Sequence, residues 1–369
     1  MAPLTTPGSA TLIERILDIA RWAPSGDNTQ PWRFQISDES SFVIHGYDTR
    51  DHCVYDLDGH GSQIALGALL ENIAIAASEE GFRVKYTRRK DMPVTKPTYE
   101  ARLLSAPDAG IDPLLSHIIQ RCVQRRPLST TPLASDQKKA LKASVGDGYS
   151  VIWFESFSER LQMARLMFNN AKIRLTIPEA YQVHRTNIEW NARFSDDRVP
   201  DQALGIDPLT LKLMRWVMAN WSRVDMFNTY FAGHWFPRVE LDLLPGIFCA
   251  AHFMIVAHEP LLDTDSYIDG GRAMQKFWLT ATSLGLHLQP EMTPLIFSRY
   301  VREGQKFTSR PDAIELARVL EQRLGAIVEE KNMDSIVFAG RIGQGKPPRA
   351  RSRRRPLNEL IIKNSPVDG

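Results

Sequence analysis

Between Leu12 and Ala20 the apolar residues Leu12, Ile13, Ile16, Leu17 and Ala20 recur at helical spacing and share one face. Thr11 and Glu14 stand at the separation of a capping box, which places the start of that helix. Pro24 ends it, because proline lacks a backbone donor and restricts the residue before it. Two short strands are predicted next, around Arg33 to Ile36 and Ser41 to His45. The run from Ser62 to Glu80, bounded by Gly61 and Gly81, is rich in Ala, Leu and Ile and predicts a helix buried on more than one side. Phe82 to Arg88 alternates as a strand does and closes a first half, residues 1–116.

A second half, residues 117–369, opens near His117. Ile118 to Leu128 predicts a helix end running into a basic turn, Tyr149 to Glu155 a strand, and Glu159 to Leu175 a helix. From about 178 to 240 the pattern breaks down into aromatics mixed with Arg and Asn: Trp190, Phe194, Trp216, Trp221, Phe227, Tyr230, Phe231, Trp235 and Phe236. This lid-like insertion either closes a pocket, with Trp190, Phe194 and His234 as lid residues, or forms core between the halves, the reading favoured for Trp216 and Trp221. Regular order returns with an apolar strand, Gly246 to Ala257, helices at Tyr267 to Leu284 and Pro311 to Leu324, and a strand at Ser335 to Gly340. Helices and strands mix without βα alternation or a repeat of fixed period, so the fold class expected is α+β, not a doubly wound parallel sheet.

Composition changes this picture little. Charged residues make up 24% of the 369, hydrophobic ones 43%, and the net charge is +2, so no global attraction to nucleic acid is expected. No apolar run approaches the roughly 20 residues that span a bilayer, and Met1 to Ala10 lacks the basic and apolar parts of a secretory signal. Cys53, Cys122 and Cys249 are odd in number and far apart, which argues for a reducing compartment and a cytoplasmic location.

The candidate chemistry starts with Ala23-Pro24-Ser25-Gly26-Asp27-Asn28-Thr29-Gln30-Pro31-Trp32-Arg33-Phe34. A loop of amide and hydroxyl groups between a helix and a strand suits a polar, planar ligand; a tight turn around a packed Trp is the plainer alternative. The run resembles the APSxxNxQPWxF signature of the nitroreductase family of FMN flavoproteins, and most of all its double-length subgroup, in which one chain holds two unequal halves. The resemblance implies that Ser25 and Asn28 contact the flavin, with Gln30 and Trp32 in support.

Three further stretches are similar to that family. Arg121-Cys122-Val123-Gln124-Arg125-Arg126-Pro127-Leu128 resembles its basic phosphate motif, which implies bidentate guanidinium contacts from Arg121, Arg125 and Arg126. Here that motif follows the Ser25 loop by about a hundred residues, the order of the double-length subgroup, and lacks the usual Ser or Thr. A solvated helix terminus with basic residues is the alternative. Gly270 to Leu286 resembles the helix beside the flavin. The loop after it, Leu288-Gln289-Pro290-Glu291-Met292-Thr293, implies a backbone donor to flavin N5 near Met292 or Thr293, with Pro290 as a further cofactor contact. In the basic tail, Arg353 and Arg354 are the implied phosphate ligands; a disordered tail or a nucleic-acid contact is the other reading.

Other signals lead nowhere. Gly340 to Lys346 nearly spells a P-loop, but Pro347 replaces its Ser or Thr. His52, Cys53 and His60 fit no zinc spacing, and no G-x-S-x-G or H-E-x-x-H is present. Asp48 to His60 resembles a pocket-rim segment of the same subgroup and reads equally as a surface loop. The resemblance therefore implies a nitroreductase-like FMN fold, two unequal halves forming an internal pseudo-dimer with FMN between them, alone or as a homodimer. It implies an FMN-dependent oxidoreductase acting on a small molecule, as an NAD(P)H-fed reductase or as a dehydrogenase in a biosynthetic pathway. The alternative is an FMN-binding or storage protein with a closed lid. No metal, nucleic acid or membrane partner is expected, and no side chain stands out as a catalytic acid or base.

Overall fold

The computed structural model describes residues 10–230 and 233–362. The leader expectation for Met1 to Ala10 lies outside these except at Ala10, and Phe231 lies outside them too. The first helix, α1 (Leu12–Ala20), starts at Thr11, whose side chain and that of Glu14 close the expected capping box. After it come β1 (Trp32–Ile36), β2 (Ser41–Gly46), α2 (His60–Glu79), β3 (Phe82–Arg88) and β4 (Thr98–Ser105). Helix α2 is buried along most of its length, as its composition predicts.

Then follow α3 (Ser135–Ser144), β5 (Tyr149–Phe154), α4 (Phe157–Thr176) and α5 (Pro178–Asn187). The insertion continues through three two-residue strands, β6 (Ile188–Glu189), β7 (Phe194–Ser195) and β8 (Val199–Pro200). It ends in α6 (Pro208–Val217), α7 (Trp221–Tyr230), and the short turns α8 (Trp235–Arg238) and α9 (Leu244–Ile247). The chain closes with β9 (Ala251–Ala257), α10 (Thr264–Ser283), β10 (His287–Pro290), α11 (Thr293–Arg302), α12 (Pro311–Val328), β11 (Ile336–Gly343) and β12 (Arg351–Ser352).

Two antiparallel four-stranded sheets organise this mixed α/β chain, in the orders β1-β2-β4-β3 and β5-β9-β11-β10. Each unit runs strand, strand, helix, strand, strand along the chain, with the helix between the second and third strands, and each has the same spatial order. Their helices, α2 and α10, are both 20 residues long and cross at Gly67 and Gly271, the eighth residue of each. A Cβ on Gly67 would collide with the Ile268 carbonyl oxygen, and one on Gly271 with that of Ile64. Each contacted residue lies three before the opposing glycine, so the approach is reciprocal. Beside the crossing, Lys276 lies 3.4 Å from Glu71, and Gln275 donates to Asn72 Oδ1 at 2.7 Å.

Some expectations need correction. The segment after His117 is not a helix end: a 3₁₀ turn at Leu115–His117 gives way to extended chain, with Val123 bridging Leu288. The apolar run at Gly246 begins inside α9, and its strand starts only at Ala251. Trp216 is not core, since it is 49% exposed. The basic tail is not free: β12 pairs in parallel with β7 of the insertion, which ties it down.

Candidate functional site

A cavity of about 460 Å³ lies between the two units, a size typical of ligand sites. Its wall takes Pro24 to Thr29 from the first loop, Arg121 to Val123 and Arg125 from the basic turn, and Met274 and Trp278 from α10. Gln289 to Thr293 and Ala350 to Ser352 with Arg354 complete that side. The 48–60 segment contributes Thr49, Cys53, Tyr55, Asp56 and His60, so it does border the pocket.

The first loop is strained. Asp27, Asn28 and Gln30 all have positive φ (47°, 65° and 50°), a region costly for residues with a Cβ. Hydrogen bonds over-determine it. Ser25 Oγ accepts from the Gln30 N–H at 2.9 Å, and Asn28 Nδ2 donates to the Arg198 carbonyl at 3.3 Å. Gln30, fully buried, donates to the Asn28 and Asp196 carbonyls and accepts from the Arg355 N–H. Gln30 is therefore behind the wall as a brace, while Ser25 and Asn28 face the cavity. Trp32 is buried core.

Three arginines crowd one side. Arg121 donates to the Trp22 carbonyl and sits 4.6 Å above the Trp278 ring. Arg351 donates to the Arg121 carbonyl, and Arg354 Nε to that of Ala23 at 2.9 Å. None of the three has an ion-pair partner among the described residues. Burial, then the neighbouring charge of Arg351, pushes Arg121 down to about 9. Burial, then Arg121, Arg351 and Arg21, pushes Arg354 well below its usual value. Guanidinium groups keep their proton in proteins, so Arg121 and Arg354 stand in the wall as buried cations. Arg125, pushed down to about 10 by burial and partly relieved by Asp27, lines the cavity and donates to the Ala203 carbonyl.

The remaining expected ligands divide. Pro290, Met292 and Thr293 lie in the wall, Pro290 at the end of β10 and the other two at the start of α11. Arg126 and Arg353 do not line it. Arg126 is exposed, and Arg353, just past the end of β12, pairs with Asp196 at 2.9 Å on the surface. Arg351 takes the inward place. Trp190, Phe194 and His234 do not reach the cavity; the insertion covers it instead with His184, Val199, Ala203, Leu204, Leu241 and Asp242. The last two lie in a π-helical turn, Val239–Leu243, a distortion frequent at functional sites.

Sequence reasoning missed a buried polar set at the same cavity. Tyr55 Oη lies 2.9 Å from His184 Nε2. Burial, then Arg174, drives His184 down to about 3, so its ring is neutral in that bond. Arg174 binds Asp242 at 2.6 Å. Glu291 is held by His252 at 2.6 Å and by Arg341 at 2.9 Å, all three buried. His252 faces Glu291 through Nδ1 and the Gly246 carbonyl through Nε2, two acceptors, which fixes it as an imidazolium. The only sequence signal was a His and an Arg inside apolar strands. Among the described residues no group of three or more His, Cys, Asp or Glu could hold a metal, and no helix is long and apolar enough to cross a membrane.

No family model and no curated protein matches the chain. Solved structures similar to it include a nitroreductase-like family protein from Bacillus cereus, 12% identical over 70% of this chain and 99% of that one, with a TM-score of 0.32. A nitroreductase with bound FMN from Bacteroides fragilis is 11% identical over 69% and 97%, TM-score 0.32. The FMN-dependent nitroreductase NfnB from Mycobacterium smegmatis, in complex with NADPH, is 11% identical over 68% and 96%, TM-score 0.36. At that level of likeness, function has to be argued from the chain's own residues.

Proposed function

We propose that the cavity holds FMN and that the protein is an FMN-dependent oxidoreductase acting on a small organic molecule. The observation that carries this is the wall of Arg121, Arg351 and Arg354: convergent, the first and last buried and Arg351 half-buried, and without a carboxylate partner among the described residues. A phosphate dianion satisfies such a wall with charge-assisted hydrogen bonds. The fit extends to polar atoms of the wall that are buried and have no partner, Asn28 Oδ1, Arg121 Nε, Gln289 Oε1, Arg341 Nε and Arg351 Nε. The matching strand orders and the reciprocal glycines of α2 and α10 support reading the two units as halves of an internal pseudo-dimer.

Arg121, Arg351 and Arg354 would hold the phosphate. Ser25, Asn28, Pro290, Met292 and Thr293 would face the ring system, with Met274, Trp278 and Val123 excluding water. FMN, when bound, supplies the hydride chemistry, and the protein supplies binding, orientation and electrostatics. Neutral His184 hydrogen-bonds Tyr55 beside the Arg174–Asp242 pair, so that side of the cavity would orient a ligand by hydrogen bonds without adding a histidine charge. The reductant is either NAD(P)H or the organic substrate itself. Turnover of NAD(P)H with a quinone or nitroaromatic acceptor separates these, and tight FMN binding with negligible turnover would favour storage instead.

The visible absorption spectrum of the purified protein, with acid release of its chromophore, tests the reading. Release of FMN is expected; a colourless protein that also fails to bind added FMN overturns it. Arg121→Ala or Arg354→Ala is expected to weaken FMN binding tenfold or more, since a hydrogen bond to a charged group contributes about 1.5–3 kcal/mol. Arg353→Ala removes only a surface pair and should leave retention within about twofold.

A further inference from the structure

The described residues expose seventeen large apolar side chains, and nine of them fall between Leu209 and Phe248. Such a concentration marks an interaction surface, whereas scattered single residues would need no explanation. On α6, Leu209, Leu213 and Trp216 stand at spacings of four and three, one stripe of the helix facing solvent, with Leu209 78% exposed. No residue of α6 is fully buried. Met226 and Tyr230 on α7, and Trp235 and Phe236 on α8, extend the apolar surface.

Along α6 and α7 the charges are mostly of one sign, with Asp207, the N-cap of α6, just before the stripe. Lys212 and Arg215 are exposed beside the α6 stripe, and Arg223 stacks over Trp216 at 4.5 Å. Asp225 is the single acid between residues 208 and 230. Leu and Trp on a helix face edged by Lys and Arg is the composition of helices that lie in a membrane interface. At ten residues, α6 is about 15 Å long, half the hydrocarbon thickness of about 30 Å, so it could lie on a bilayer but not cross one.

We propose that the outer face of α6 to α8 docks on an anionic phospholipid surface. Charge selects that occupant over a second copy of the chain. A two-fold contact would bring the same Lys212, Arg215 and Arg223 against themselves, whereas an anionic leaflet attracts each of them. The proposal is independent of the flavin reading, although the same insertion supplies Ala203, Leu204, Leu241 and Asp242 to the cavity wall.

Co-sedimentation of the whole protein with vesicles tests it, comparing phosphatidylglycerol in phosphatidylcholine with phosphatidylcholine alone. Binding to the anionic vesicles is expected, falling as salt rises. Leu209→Glu with Leu213→Glu should reduce partitioning at least tenfold, by the lost transfer of two leucines. Lys212→Gln should reduce it about fivefold. Both changes are at exposed positions, and circular dichroism checks that the variants remain folded. Failure of the wild type to bind anionic vesicles overturns the proposal, as does equal binding by the double variant. So does light scattering that shows a wild-type dimer which the double variant dissociates.

Discussion

Gly271→Ala is expected to destabilise the protein by about 3 kcal/mol or more, the upper part of the range for overpacked cores. The added methyl would collide with the Ile64 carbonyl oxygen and lie 2.8 Å from the Ile64 Cα. Both are backbone atoms of a buried helix, so only separation of α2 from α10 can relieve the contact. Much of the main core packs around these two helices. On helix propensity alone, Gly→Ala should stabilise by about 1 kcal/mol. Gly325→Ala in α12, where a Cβ meets nothing within 4 Å, supplies that control. Urea unfolding should therefore give opposite signs for the same chemical change, and equal signs would refute the close crossing.

Glu291→Gln is expected to cost about 3–5 kcal/mol, the loss that follows when one partner of a buried ion pair is removed. His252 and Arg341 would be left with buried positive charge and one acceptor fewer. The pH dependence gives a second signature. Burial lowers the affinity of His252 for a proton, but Glu291 outweighs it and raises the group from 6.5 to about 10. Stability from this pair is therefore full below about pH 6.5 and is lost as pH rises through about 10. Burial pushes Glu291 up, but His252 and Arg341 hold it below its usual value. Its contribution is present above about 4.5 and is lost as pH falls through that lowered value. Urea midpoints from pH 5 to 11 should show the wild type losing its advantage over Glu291→Gln in the alkaline range. A constant difference would mean that His252 is neutral.

Local pattern made the regular elements legible. The 3.6-residue period and the Thr11 and Glu14 cap placed α1, and the alternation of Phe82 to Arg88 placed β3. The Ser25 and Arg121 motifs were legible as chemistry, and the fold brings them to one cavity across about a hundred residues of chain. The matching strand orders were not legible. Side chains differ between the units, and α4 to α9 intervene between β5 and β9 while α11 and α12 separate β10 from β11, so no fixed period survives. Arg351 was passed over for Arg353 because nothing in a run of five arginines shows which meet the cavity and which, like Arg353 with Asp196, find a partner on the surface. The ion triad was hidden because each member, His252, Glu291 and Arg341, reads as an ordinary residue until three distant segments meet.

The crossing of α2 and α10 also carries charges that suit unlike units to each other. At equivalent positions one unit carries Glu71 and Asn72, the other Gln275 and Lys276. The native arrangement gives Glu71 a lysine and Asn72 a glutamine. Two first units meeting in the same way would set Glu71 against Asn72, and two second units Gln275 against Lys276, each leaving a charge without its counter-ion. The mismatch favours the pairing of unlike units over that of like ones.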